Sequence, residues 1–219
     1  MHYLSQALRR SRFRDARFKT FIMPIIQSVI RQKGSCRILD MGGDPDYWRF
    51  DIPSSNIEIS ILNIEQKDSV PDARFRILQG DARNVAEFPD LSFDFVHSNS
   101  LIEHVGRWDD MRQVASEIRR LAPRYYVQTP NFWFPLDPHS NMPLMHWLPM
   151  PVQRQMVSKK AHGFYAKAKT LDEAMQIVES TSMLDRAQVA ALFPDARIVT
   201  EDVLFMSKSL IAIKDTHPQ

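Results

Sequence analysis

One cysteine, few glycines and no long apolar run mark this sequence as much as anything it contains. Cys36 alone excludes an internal disulfide and a multi-cysteine zinc site, and it fits a reducing compartment. No stretch approaches the roughly 18 apolar residues of a spanning helix, because Arg, Lys, Pro or His interrupts each candidate. Charge of one sign is not in excess either: 28 basic residues face 26 acidic ones, a net charge of +2, so there is no chain-wide footprint for specific nucleic-acid binding. These absences describe a cytoplasmic protein. Six glycines in 219 residues is about 3%, against an ordinary usage near 7%, so the place of each glycine carries information.

What is present is an ordinary core-forming composition, with 44% hydrophobic and 25% charged residues. The length suits one domain, monomeric or homodimeric. Residues 1–37 are basic and acid-poor, with Arg9, Arg10, Arg12, Arg14, Arg17 and Lys19 ahead of an apolar stretch. Three readings stay open for them. They form surface helices that bury Phe21, Ile22, Ile25, Ile26 and Ile30 at helical spacing, or a peripheral contact with anionic lipid, or an organelle transit peptide.

Beyond Gly34, short apolar runs alternate with helical periodicity. Strands are expected at Cys36–Met41, Ile57–Asn63, Phe75–Leu78, Phe93–Ser98 and Tyr125–Thr129, with two more over Ala196–Val203 and Leu204–Lys214. A helix fits Trp108–Leu121, where Met111, Val114, Ile118 and Leu121 recur at steps of three and four, with acids first and arginines last. Asp185 N-caps another helix over Arg186–Leu192. The pattern predicts an α/β fold with a doubly wound, mostly parallel seven-stranded sheet. It divides into N-terminal helices (1–34), a ligand-binding half (35–130), an insertion after strand five (131–182) and the last helix and strands (183–219). The insertion carries six prolines between Pro130 and Pro151, interleaved with Phe132, Trp133, Phe134 and Trp147, and should fold over the active edge of the sheet.

ILDMGGDPDYW sets Asp40, Gly42 and Gly43 just past the first strand. Such a turn brings backbone N–H groups close to a nucleotide-like ligand, and Asp40 can anchor either the turn or a ligand amine. It is neither the G-x-G-x-x-G dinucleotide fingerprint nor a phosphate loop, and Asp44 and Asp46 would repel a pyrophosphate. A cationic cofactor without phosphate fits better.

In order, ILDMGGD, ISILNIE, LQGDARN, FDFVHSNSLIEHV and YYVQTPN resemble the class I S-adenosylmethionine-dependent methyltransferases, in particular the small bacterial-type branch with an E-H-V element after strand four. The resemblance spans about residues 35 to 215 and implies a Rossmann-like methyltransferase fold with S-adenosylmethionine as cofactor. It places Asp40, Gly42 and Gly43 beside the methionine moiety, Asn63 or Glu65, two residues on, at the ribose and Asp81 with Ala82 at the adenine. Ser98 and Asn99 would close the site beneath the reacting methyl. Asp44 and Asp46 stand where the family has glycines, and Asn63 where it has an acid.

The acceptor side is read from the insertion. QTPNFWFPLDPH puts Gln128, Asn131, Asp137 and His139 beyond strand five, with His139 as candidate base and Asp137 as its partner, or the pair as a loop brace that satisfies buried polar groups. His104, beside Glu103, is a second candidate, unless the pair only ties its turn to a neighbouring loop. His146 and His162 are weaker candidates. The spacings of Asp137, His139, His146 and His162 match no compact ligand pattern, so no metal is expected. The expected activity is methyl transfer to a small-molecule, sugar or lipid-linked acceptor. The rivals are a non-catalytic methyltransferase-like binding subunit and a nicotinamide oxidoreductase.

Overall fold

A computed structural model describes residues 14–48, 56–65 and 72–215. Arg9, Arg10 and Arg12 of the basic segment lie outside the described residues. The strands are β1 Cys36–Met41, β2 Ile57–Asn63, β3 Phe75–Gln79, β4 Phe95–Asn99, β5 Tyr125–Pro130, β6 Arg197–Val203 and β7 Met206–Lys214. They form one sheet in the order β3-β2-β1-β4-β5-β7-β6. β1 to β5 pair in parallel, and β7 runs antiparallel between β5 and β6. The expected mostly parallel seven-stranded sheet is what forms.

Both faces of the sheet are covered, so β1, β4 and β5 are buried along almost their whole length. On one face Met111, Val114, Ile118 and Leu121 of the Trp108–Leu121 helix, with Val189 and Leu192 of the Arg186–Leu192 helix, pack on Leu39, Met41, Val96 and Val127. On the other, Phe18, Ile22, Ile25, Ile26 and Val29 pack on Ile38, Ile59, Ile61 and Phe95. Each such side chain taken from water contributes about 1.5–3 kcal/mol. From Arg14 to Lys33 the chain follows a continuous helical path, with a wider turn at Phe18–Ile22 ahead of the Met23–Lys33 helix.

Helix ends match their sequence signals. Asp185 Oδ1 accepts from Gln188 N at 2.9 Å while Gln188 Oε1 accepts from Asp185 N at 2.9 Å, a complete capping box. Three strand starts differ from expectation, that of β6 by the single residue Ala196 and two others by two residues. β4 begins at Phe95, because Phe93 N donates to Leu121 O and so belongs to the helix-to-strand connection. β7 begins at Met206, because Leu204 and Phe205 both have positive φ and form the tip of the β6–β7 hairpin.

In the insertion, the Met150–Lys159 and Leu171–Glu179 helices meet over a small core of Met145, Val157, Ala168 and Ala174. Three of its aromatic residues, Trp133, Trp147 and Phe164, are exposed, as is Met150.

Candidate active site

The strand order reverses between β1 and β4, so the ligand crevice of this architecture lies at the C-terminal ends of those strands. Asp40, near the end of β1, is fully buried and both its oxygens are engaged: Trp48 Nε1 donates to Oδ2 at 2.7 Å, and His97 Nδ1 lies 2.6 Å from Oδ1. Of the two roles open to Asp40, the structure uses that of turn anchor. The turn folds down onto it so closely that a Cβ on Gly43 would sit 1.8 Å from Asp40 Oδ2. Gly42 has φ +74°, and its N–H donates to Leu62 O at 2.8 Å. Gly43 is thus fixed by the anchor beneath it, and Gly42 by its positive φ and the Leu101 side chain, which a Cβ would meet at 2.9 Å.

The other residues expected at the cofactor divide into two groups. Asn63, at the end of β2, donates from Nδ2 to Gly43 O at 3.1 Å and so ties the second strand to the turn. Asp81 is gripped by Arg83, whose Nε lies 3.0 and 2.9 Å from the two carboxylate oxygens and whose Nη2 lies 2.6 Å from Oδ2; Arg83 also reaches Asp110 at 2.9 Å. The Arg83 side chain holds the Asp81 carboxyl below its ordinary pKa. Ala82 packs against the core. Ser98 is buried and donates to Met41 O at 3.3 Å, closing β4 against β1 rather than facing the crevice. Asn99 does face it, and its Oδ1 is buried without a hydrogen-bond partner. A buried acceptor of this kind is costly unless a ligand donor meets it.

From Asn99 the crevice opens into a cavity of about 920 Å³, bounded by Ser100 and Gln128 below and the insertion above. Phe134, Leu136, Phe164 and Tyr165 give it an apolar wall; Arg14, Arg17 and Lys208 give one side a basic edge. Arg17 pairs with buried Glu201 at 3.5 Å, and Lys208 reaches the same carboxylate at 3.3 Å.

His104 and His139 meet on the wall of this cavity, their rings edge to face with centroids 4.9 Å apart. His139 Nδ1 is 3.2 Å from Asp137 Oδ1, and Asp137 also accepts from His139 N at 2.9 Å and Ser140 Oγ at 2.6 Å. Burial alone would raise the Asp137 carboxyl, but the bonds from His139 and Ser140 outweigh it and hold the pKa below the ordinary value. An ionised Asp137 can only accept, so His139 Nδ1 is the donor in this bond and Nε2 is the ring nitrogen left for another partner. His104 Nδ1 lies 3.1 Å from Ser180 O, and Ser182 N donates to Glu103 O at 2.7 Å. The Glu103–His104 pair thus ties its turn to the end of the insertion and still lines the cavity through His104.

The remaining insertion residues are braces. His146 Nε2 meets Phe132 O at 2.8 Å, Asn131 donates to Ser207 O at 2.8 Å, and buried His162 pairs through its backbone with Tyr165. Sequence reasoning missed three features. His97, the partner of Asp40, sits in an unremarkable strand run. The burial of Glu103 is invisible in a loop sequence. Lys208 reaches the cavity from a strand more than one hundred residues away from β4, and no local signal announces that.

Residues 35–124, which hold β1 to β4 and the Trp108–Leu121 helix, match the family model described as a methyltransferase domain. Among solved structures, a Bordetella parapertussis protein described as a possible exported protein shares the fold at 13% identity and a TM-score of 0.54, over 94% of this chain and 67% of that one. Magnesium protoporphyrin IX methyltransferase from Synechocystis PCC 6803, solved with bound S-adenosylhomocysteine (SAH), shares it at 10% identity and a TM-score of 0.50, over 89% of this chain and 82% of that one. A protein from Pyrococcus horikoshii OT3 does so at 17% identity and a TM-score of 0.50, over 91% and 89% of the two chains. No curated protein sequence matches this chain significantly.

Proposed function

We propose that this chain, a class I S-adenosylmethionine-dependent methyltransferase, transfers its methyl group to a small acceptor with an apolar body held in the cavity beneath the insertion. The observation that carries this reading is that the cavity reaches the C-terminal end of β4, at Asn99 and Ser100, beside the reversal of strand order where this architecture binds its ligand. The residues on the cofactor side suit the group. The glycine turn offers close backbone, Asn63 offers an amide, and the unpartnered Asn99 Oδ1 offers an acceptor for an amino group. Asp44 and Asp46 add negative charge suited to a cationic ligand and hostile to a pyrophosphate. S-adenosylmethionine supplies an electrophilic methyl carbon on a sulfonium centre.

The chain's own work is then alignment and proton handling. Phe134, Phe164 and Tyr165 exclude water and hold the acceptor's apolar body. His139, with Nδ1 held by Asp137, presents the Nε2 lone pair that takes a hydroxyl or ammonium proton from the acceptor. Water exclusion and orientation come from the insertion, proton removal from the Asp137–His139 pair.

A lipid-linked acceptor is the form best supported among the small acceptors. Leu204 and Phe205, fully presented at the hairpin tip, leave the strand residue Val203 lining the cavity just behind them. The test is methyl transfer from labelled donor to extracted metabolites, separated into aqueous and lipid fractions. A labelled product in the lipid fraction, lost with His139→Ala while SAH affinity is kept, supports the reading. No labelled product in either fraction contradicts it.

A further inference from the structure

Glu103, His104 and His139 each offer one ligand atom, and the three lie within 4.8 Å of one another. We propose that these residues form a binding site for a divalent transition-metal ion on the wall of the cavity. The absence of a metal expected from spacings within the insertion does not reach this set, because Glu103 and His104 come from the segment after β4 and only His139 comes from the insertion.

Three independent features of the site point the same way. The first is the carboxylate. Glu103 is fully buried, its Oε2 accepts from Thr129 Oγ1 at 2.9 Å, and its Oε1 is buried with no hydrogen-bond partner. A carboxyl oxygen left without a partner in the interior is costly, and a bound cation is one partner that satisfies it. The second is the state of the imidazoles. His139 Nδ1 faces the Asp137 carboxylate and His104 Nδ1 faces the Ser180 carbonyl, which leaves Nε2 of each ring as the remaining donor. An imidazole that ligates a metal characteristically gives its other N–H to a carboxylate or a backbone carbonyl, and here one ring has each. The third is the outer bracing. Asp137 is itself held by Ser140 Oγ at 2.6 Å, and the loop of His139 is pinned where Phe164 N donates to His139 O at 2.8 Å.

One carboxylate oxygen and two imidazole nitrogens suit Zn²⁺, Fe²⁺, Co²⁺ or Mn²⁺ better than Ca²⁺ or Mg²⁺, which prefer all-oxygen shells. Ligand atoms about 2.1 Å from one ion stand roughly 3–3.5 Å apart, so loading draws the three side chains together by about 1 Å. Three protein ligands leave coordination positions open, as in catalytic rather than structural sites. Since His104 and His139 line the cavity, an oxygen-bearing acceptor is the ligand such positions favour; that clause alone rests on the proposed methyl transfer. In the loaded protein the ion would coordinate the acceptor oxygen and lower its pKa, so that the proton leaves to solvent and His139 serves as a ligand instead of a base.

The experiment uses the full chain, stripped with chelator and titrated with Co²⁺ while its visible absorption is followed, with Zn²⁺ competition as the second arm. The site predicts one equivalent bound, displaced by Zn²⁺, with affinity reduced at least tenfold in His139→Asn and in Glu103→Gln. Because Glu103 is buried and its variant can lose stability, the partly exposed His139 and His104 provide the variants whose fold is checked by circular dichroism. His146→Asn, outside the set, keeps wild-type affinity. No binding at 100-fold excess Co²⁺ (adjusted to about 1 mM), or binding unchanged in both His104→Asn and His139→Asn, overturns the proposal. SAH titration of the same stripped protein reports separately on the cofactor site.

Discussion

At the scale of single residues, the position of Gly43 is the most constrained in the crevice. The Asp40 carboxylate beneath it cannot retreat, since Trp48 and His97 hold both oxygens. Gly43→Ala should therefore cost about 1–3 kcal/mol, the range of an overpacked core, and weaken SAH binding. A urea midpoint and an SAH titration both equal to wild type would refute this. The sequence marked this turn but assigned its glycines to ligand approach; the structure adds that the buried acid demands one of them, a constraint that depends on where a neighbouring carboxylate points. Cys36 carries a second prediction. Burial, reinforced by the charge of Asp94, pushes its thiol up to about 12. Native protein should not react with a disulfide reagent at pH 8 over minutes, while urea-unfolded protein should react with one equivalent. Rapid labelling of the native chain would contradict the burial.

Elements are positioned by a few contacts, and two of these can be tested. Gly163 has φ +57°, and a Cβ there would come within 2.5 Å of His139 O. The insertion segment thus presses on the loop that carries His139. Gly163→Ala should lower stability by about 2 kcal/mol and lower methyl transfer further than the stability loss explains, with SAH affinity kept. Equal losses of SAH affinity and turnover would mean the segment does not act through His139. At the start of β4, burial pushes the Asp94 carboxyl up, but the Arg37 backbone N–H at 2.9 Å and the Lys33 ammonium at 2.5 Å outweigh it, so its pKa ends below the ordinary value. A depressed carboxyl stabilises the fold above its unfolded pKa of about 3.9 and loses that contribution as pH falls through the folded value. Asp94→Asn should therefore cost about 1.5 kcal/mol at pH 7 and progressively less below pH 4. A difference between the two proteins that grows on acidification would reverse the sign and reject the assignment.

For the whole molecule, the sheet was legible because its evidence is local and repeated. Trp108–Leu121 and Arg186–Leu192 have the predicted ends, and β1 and β2 the predicted bounds, since apolar period and caps fix them. The acceptor side was only half legible. His104 and His139 were singled out separately, but their meeting at the cavity wall depends on how a proline-rich insertion packs, and the same packing leaves Trp133 and Trp147 at the surface. No helix among the described residues is long and apolar enough to cross a membrane. The proposal of a lipid-linked acceptor puts lipid contact at the Leu204–Phe205 tip, where φ of +49° and +67° strains two bulky residues. Phe205→Gly should raise stability by about 1 kcal/mol and reduce co-sedimentation with anionic vesicles. Unchanged sedimentation would remove the tip from any lipid contact.

The most direct measurement is calorimetric titration of the purified chain with S-adenosylmethionine and SAH. One site should be saturated by each, with Asn63→Ala and Asp81→Ala binding more weakly and His139→Ala binding as wild type. No heat of binding at millimolar ligand, with the protein folded, would contradict the account at its centre.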